Sequence, residues 1–149
     1  MLYNDYLKTL NKCPFYDEIH FANQLVADNK TSALIISLAP YHKHHLLIIP
    51  KRHLERIVEI SDEEMSDIIE LQRIGIKILY RLGYSNMSVL VREGENIGKS
   101  VKHLHYHIIP NVMIGAENIT GGDERSISTE EEILEFIEDM REAMEDLSD

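Results

Sequence analysis

Apolar and polar positions change period several times along the chain. Residues 23–27 and 32–38 are β-rich runs parted by Asp28-Asn29-Lys30, a turn triplet, and predict a hairpin. Pro40-Tyr41 turns the chain into a third apolar strand over 45–49, closed by Pro50. At Ser61 the period lengthens. Ser61 and Glu64 form a reciprocal N-terminal cap, and Met65, Ile68, Ile69, Ile76 and Leu79 predict the buried stripe of a helix reaching about Leu82, with Gly83 as its stop. Alternation returns over 86–91, Gly94 and Gly98 bracket a loop, and a strand is expected from about Lys102 to Ile109, stopped by Pro110. Residues 111–128 read as irregular, with a Gly121-Gly122-Asp123 turn. Thr129 and Glu132 repeat the cap, and Ile133, Ile137, Met140, Met144 and Leu147 follow at 4-3-4-3 spacing, a stripe that must bury against the body or a second subunit. Without a repeat or low-complexity linker, this order predicts an α+β fold: an antiparallel sheet of about five strands, a long helix packed on it, and a C-terminal acidic helix.

Composition narrows the classes. At 149 residues, 44% hydrophobic and 28% charged, the chain can bury a real core and is neither disordered nor fibrous. Its longest apolar stretches, 33–40 and 46–50, fall far short of the roughly 20 residues that span a bilayer, which argues against a membrane role. No secretory signal is expected at the start, and Cys13, the single cysteine, fits a reducing compartment; both point to the cytoplasm. The net charge is −11, yet residues 1–116 carry 13 Lys/Arg and 13 Asp/Glu; the whole excess lies in 117–149, where 13 acidic residues face only Arg125 and Arg141. Such a tail repels a polyphosphate backbone, and nucleic acid is not the expected partner. A small anion can still meet the neutral first part, and the tail reads as a solvated helix face.

The densest chemical signal is His103-Leu104-His105-Tyr106-His107-Ile108-Ile109-Pro110. On a strand, alternate side chains share a face about 6.6 Å apart, so the three imidazoles stand together with Leu104, Tyr106 and Ile108 behind them. Three neighbouring imidazoles are a poor choice for packing alone, because each carries nitrogens that need partners. They could hold zinc with one position open, or one could act as a nucleophile oriented by its neighbours. The flank favours the second. Gly98-Lys99-Ser100 delivers a flexible backbone, a cation and a hydroxyl, groups that suit phosphate oxygens and a leaving group. It is not a Walker loop, since Gly94 stands too close and no helix follows.

These residues resemble the His-φ-His-φ-His-φ-φ signature of the histidine triad (HIT) superfamily of nucleotide hydrolases and transferases. A second block, Pro40 to His53 with His45 before an apolar strand and then Pro50-Lys51-Arg52-His53, resembles the family's other motif, in the same order and separation. The resemblance covers roughly residues 13–115, a core within a single HIT-like domain of 1–149, with 116–149 as an acidic extension. Pro40-Tyr41 and residues 114–118 look more like the fragile-histidine-triad and dinucleoside-polyphosphate phosphorylase branch than the phosphoramidase branch.

The resemblance implies that His105 attacks the α-phosphorus of a nucleotide to form a nucleotidyl–histidine intermediate. By the same likeness His107 contacts the phosphoryl oxygens and leaving group, His103 and His45 orient the nucleophile, and Ser100 lies near the leaving oxygen. An unperturbed imidazole, titrating near ~6.5, is largely neutral and nucleophilic at cell pH. A homodimer joining two sheets is implied too, with no metal or other cofactor. Departures from the family concern the substrate: Lys99 and Arg92 stand where amides are usual, Ser37 where an Asp or Asn commonly holds the ribose, and Asn111 where an arginine often follows the Pro. Cys13-Pro14-Phe15-Tyr16 retains only half of the zinc site of some relatives. His42 and His44 read as turn residues or anion contacts, and His53 as packing or capping a short helix. The competing expectations are a phosphoramidase of the same fold, a zinc-binding protein built on His103, His105, His107 and His45, and a non-catalytic module that binds nucleotide or docks a partner through its acidic helix.

Overall fold

Asn29 makes the first turn. Its Oδ1 accepts from the backbone N–H (3.0 Å) and hydroxyl (2.8 Å) of Ser32, closing the hairpin between β1 (Leu25–Asp28) and β2 (Ser32–Ile36). These elements belong to a computed structural model that describes residues 1–2, 5, 23–94, 103–111 and 126–147. β3 (Leu46–Pro50), helix α1 (Asp62–Arg81), β4 (Met87–Val91), β5 (Tyr106–Pro110) and helix α2 (Glu130–Leu147) follow, with a 3₁₀ turn at Ile57–Glu59 before α1. The five strands form one antiparallel sheet in the order β1-β2-β3-β5-β4, the α+β architecture that the pattern predicts.

Strand alternation gives the sheet two apolar faces. Leu34, Leu46, Ile48 and Ile108 face both helices, and Ala33, Ile35, Leu47 and Ile49 form the core of the opposite face. Helix α1 lies on the first face through Ile68, Leu71, Gly75, Ile78 and Leu79. This corrects the predicted stripe. Ile68 and Leu79 belong to it, but Met65 and Ile76 are only half-buried and Ile69 is exposed. The contact is rotated because Gly75 marks the closest approach: a Cβ there would stand 3.0 Å from Ile108 Cδ1 and 3.4 Å from Leu46 Cδ1. At the far end Gly83, with φ 95°, stops the helix as expected.

The cap at Thr129 forms in both directions: its N–H donates to Glu132 Oε1 (3.0 Å) and its hydroxyl accepts from the Glu132 N–H (3.1 Å). The stripe that follows buries against the body, beside α1, β1 and β2, through Ile133, Phe136, Ile137, Met140 and Ala143. Met144 and Leu147 sit at its margin. Among the described residues, no helix is long and apolar enough to cross a membrane.

The cap of α1 carries a pH dependence. Glu64 is buried, accepts the Ser61 N–H (2.9 Å), and meets the Arg52 guanidinium at 2.8 Å; Arg52, with the serine contacts, holds its carboxyl down at about 2. A carboxylate whose folded pKa lies below its unfolded value stabilises above the unfolded value, near 4.5, and loses that contribution as pH falls toward 2. Melting temperature measured from pH 6 to pH 3 should therefore fall less steeply in Glu64→Gln than in the parent, from a lower start. Parallel curves would show that the Arg52 pair adds nothing to acid sensitivity.

Candidate active site

The histidines gather on the sheet face opposite the helices. β5 pairs with β3 and β4 so that His107 stands between Leu47 and Leu90, while Ile108 points back into the helix-covered core. The strand is shorter than predicted. It starts at Tyr106, and the residues before it leave the ladder as the Leu104 N–H turns to the Leu54 carbonyl (2.6 Å). His103 and His105 therefore reach the site from a bend, although the rings still converge: His105 and His107 have centroids 4.7 Å apart, His45 and His107 5.1 Å. His45 immediately precedes β3 and is fully buried.

Hydrogen bonds fix the tautomers in the neutral site. The Tyr41 N–H points at His45 Nδ1 (3.2 Å); a backbone amide only donates, so Nδ1 accepts and Nε2 carries the proton. That proton goes to His107 Nδ1 (2.9 Å), which leaves the His107 proton on Nε2. In His105, Nδ1–H donates to the His103 carbonyl (2.8 Å), which places the lone pair on Nε2. His103 donates its Nε2–H to the Pro50 carbonyl (2.9 Å). Of these four imidazoles, the 8% exposure of His105 is the largest, against 0–4% for the others. The arrangement holds one ring by its Nδ1–H with an electron pair at the opposite nitrogen, beside a second ring that can donate.

The family model described as the HIT domain matches residues 20–113, well over half of the chain. The chain belongs to the HIT domain family. An adenosine 5'-monophosphoramidase of Schizosaccharomyces pombe is 36% identical over 85 residues, 57% of this chain and 62% of that protein. A bis(5'-adenosyl)-triphosphatase of Dictyostelium discoideum is 30% identical over 102 residues, 68% of this chain and 64% of that one. The match thus spans under two thirds of both relatives. Among solved structures, the diadenosine triphosphate hydrolase of Plasmodium falciparum superimposes with a TM-score of 0.69 at 21% identity, covering 83% of this chain and 78% of that one, a likeness of fold.

Of the remaining predicted site residues in this HIT fold, Ser37 and Arg92 lie among those described. Ser37 is buried just after β2, and its N–H donates to the His45 carbonyl (2.9 Å), so it braces the loop. Arg92 follows β4, half-buried. Next to it, Glu93 accepts the Ile57 N–H (2.6 Å) and stands 3.6 Å from Arg56, tying the end of β4 to the 3₁₀ turn. Lys99 and Ser100, like Cys13 and residues 114–118, lie outside the described residues. Asn111 takes φ 55°, a left-handed conformation that asparagine tolerates, and ends β5.

Two features escape the sequence reading. His53 takes the packing half of its expected role, but its partner is His103, with the rings tilted and centroids 4.7 Å apart, while Arg56 stands at the N-cap of the 3₁₀ turn. His44 is no loose turn residue but a buried ring that bonds Tyr84 and Asp139. The apolar run after His44 and His45 hinted that this loop closes onto the body, yet no local pattern names partners 40 and 95 residues away.

Proposed function

We propose that this HIT protein is a nucleotide hydrolase or nucleotidyl transferase acting at the α-phosphate through a covalent intermediate on His105. One observation carries the reading: the His105 Nδ1–H is held by the His103 carbonyl, which orients the lone pair of Nε2 outward from that anchor. That pair forms the phosphorus–nitrogen bond as the bond to the leaving oxygen breaks. His107, whose Nε2 carries its proton because His45 occupies Nδ1, donates toward the phosphoryl oxygens or the departing oxygen. His103 and His45 keep the two working rings in register. Lys99, Arg92 and Ser100 supply cations and a hydroxyl for the remaining phosphates, and Ser37 lies toward the ribose. Water or phosphate then releases the nucleotide, with neither metal nor cofactor taking part.

The substrate class we favour is a dinucleoside polyphosphate, supported by the relative named for that activity and by cations at 92 and 99 where amides are usual. The 36% identical relative named a monophosphoramidase supports the second reading. We further propose that residues 1–149 act as one HIT-like unit, with a core at 13–115, and that two copies pair in the cytoplasm through β4, the edge strand bearing the exposed Val89. A panel of dinucleoside polyphosphates and nucleoside phosphoramidates, run with and without inorganic phosphate, tests the activity. Dinucleoside polyphosphates should turn over fastest and leave a labelled nucleotide on the protein after an alkaline denaturing quench, which spares a phosphorus–nitrogen bond that acid would cleave. Preference for the phosphoramidates would favour the second reading, and no adduct with any substrate would refute the covalent mechanism.

A further inference from the structure

The strongest feature outside the triad is the contact between the acidic helix and the loop that presents His45. His44 is buried and uses both ring nitrogens. Its Nε2 meets Asp139 Oδ2 of α2 at 2.8 Å; a carboxylate only accepts, so Nε2 carries a proton, and Nδ1 pairs with the Tyr84 hydroxyl. Burial, and then the charge of Asp139, push the Tyr84 phenol upward, which keeps it a donor. Phe136, one turn before Asp139 on α2, covers the His44 ring edge-on at 6.2 Å.

From His44 the restraint passes to its neighbours. Its N–H donates to His42 Nδ1 (3.3 Å), and the His45 N–H donates to the His42 carbonyl (2.9 Å). Burial, then the neighbouring His44 and Lys43, lower the His42 pKa, so that ring stays neutral and able to accept. This turn sets where the Tyr41 N–H meets His45 Nδ1, the bond that places the His45 proton on the nitrogen facing His107. Helix α2 lies wholly beyond residues 20–113, the part that matches the HIT family model.

We propose that Asp139 is a positioning residue for the triad: through His44 it holds the 41–45 turn in the shape that fixes the tautomer of His45. Its effect on turnover rests on the nucleotidyl-transfer reading above, whereas its effect on His45 does not. Nitrogen-15 NMR of the imidazoles reports the tautomer directly. In the parent, His45 should show one form with the proton on Nε2. Asp139→Ala should turn this into a mixture and lower kcat on the order of tenfold with KM within about twofold, since misplaced catalytic groups slow chemistry more than binding. Asp139→Asn keeps an acceptor oxygen and should restore both. Tyr84→Phe, which removes only the hydroxyl, should shift the tautomer the same way to a smaller extent, and it serves equally if Asp139→Ala does not fold. A parent-like His45 tautomer and kcat in Asp139→Ala, beside a lowered Tm, would overturn the proposal and leave Asp139 as a stabilising contact only. A parent that turns over no nucleotide would sink the proposed reaction, while the tautomer comparison would still decide the role of Asp139.

Discussion

His105→Ala should abolish turnover while the protein stays folded. The substitution removes the electron pair that we propose attacks phosphorus, on the ring whose Nδ1–H is fastened to the His103 carbonyl. Loss of a nucleophile that works as part of a unit lowers kcat by about 10³-fold or more. The structural cost should be modest by comparison: the hydrogen bond to the His103 carbonyl is worth about 1–2 kcal/mol, and a ring contact with His107 is lost with it. Circular dichroism should therefore match the parent, with a slightly lower melting temperature, and no labelled nucleotide should remain bound after an alkaline denaturing quench. His45→Ala should be milder, because it removes a partner of His107 and not the attacking atom. Nucleotide release by His105→Ala at the parent's rate would remove the basis of the proposed reaction.

The reach of that prediction depends on how much of the site the sequence displays. Both blocks of the site were legible because their signals are local: a period of two through 103–109, a Pro at each strand end, and imidazoles too many for packing. The caps at Ser61 and Thr129 were legible for the same reason, since each joins residues three apart. Two kinds of feature were not. The rotation of α1 on the sheet depends on a close approach at Gly75 to Ile108, Leu46 and Leu34, strands distant in sequence, so counting apolar residues chose Met65, Ile69 and Ile76 in place of Leu71 and Ile78. The late start of β5 depends on Leu54, whose carbonyl takes the Leu104 N–H. Strand propensity cannot register an acceptor 50 residues away. The likeness to the HIT family supplied roles for the histidines, but the tautomers that make those roles chemically sensible came from the Tyr41 amide and the carbonyls of His103 and Pro50.

Ile108→Ala should be the most damaging core substitution beside the site, and Gly75→Ala should partly repair it. Ile108 is fully buried, pairs with Leu46 on β3 and Val89 on β4, and sits beneath α1 on the face opposite His107. Truncating such an isoleucine costs about 2–5 kcal/mol, through lost burial and the cavity left behind. For a chain of 149 residues that corresponds to a fall in Tm of roughly 10 °C. Gly75→Ala alone brings a gain of about 1 kcal/mol in helix propensity, opposed by a methyl 3.0 Å from Ile108 Cδ1 and 3.4 Å from Leu46 Cδ1, and overpacking of this kind costs about 1–3 kcal/mol. The single glycine variant should therefore be near neutral or slightly destabilised. In the double variant the nearest obstruction is gone, the new methyl occupies part of the vacated space, and the propensity gain is retained. Urea unfolding should place the double variant about 1 kcal/mol above Ile108→Ala, a departure from additivity expected only of residues in contact. Strictly additive free energies would mean that α1 does not rest on Ile108, and that β5 is held against the helices, with His107 on its far side, by other contacts.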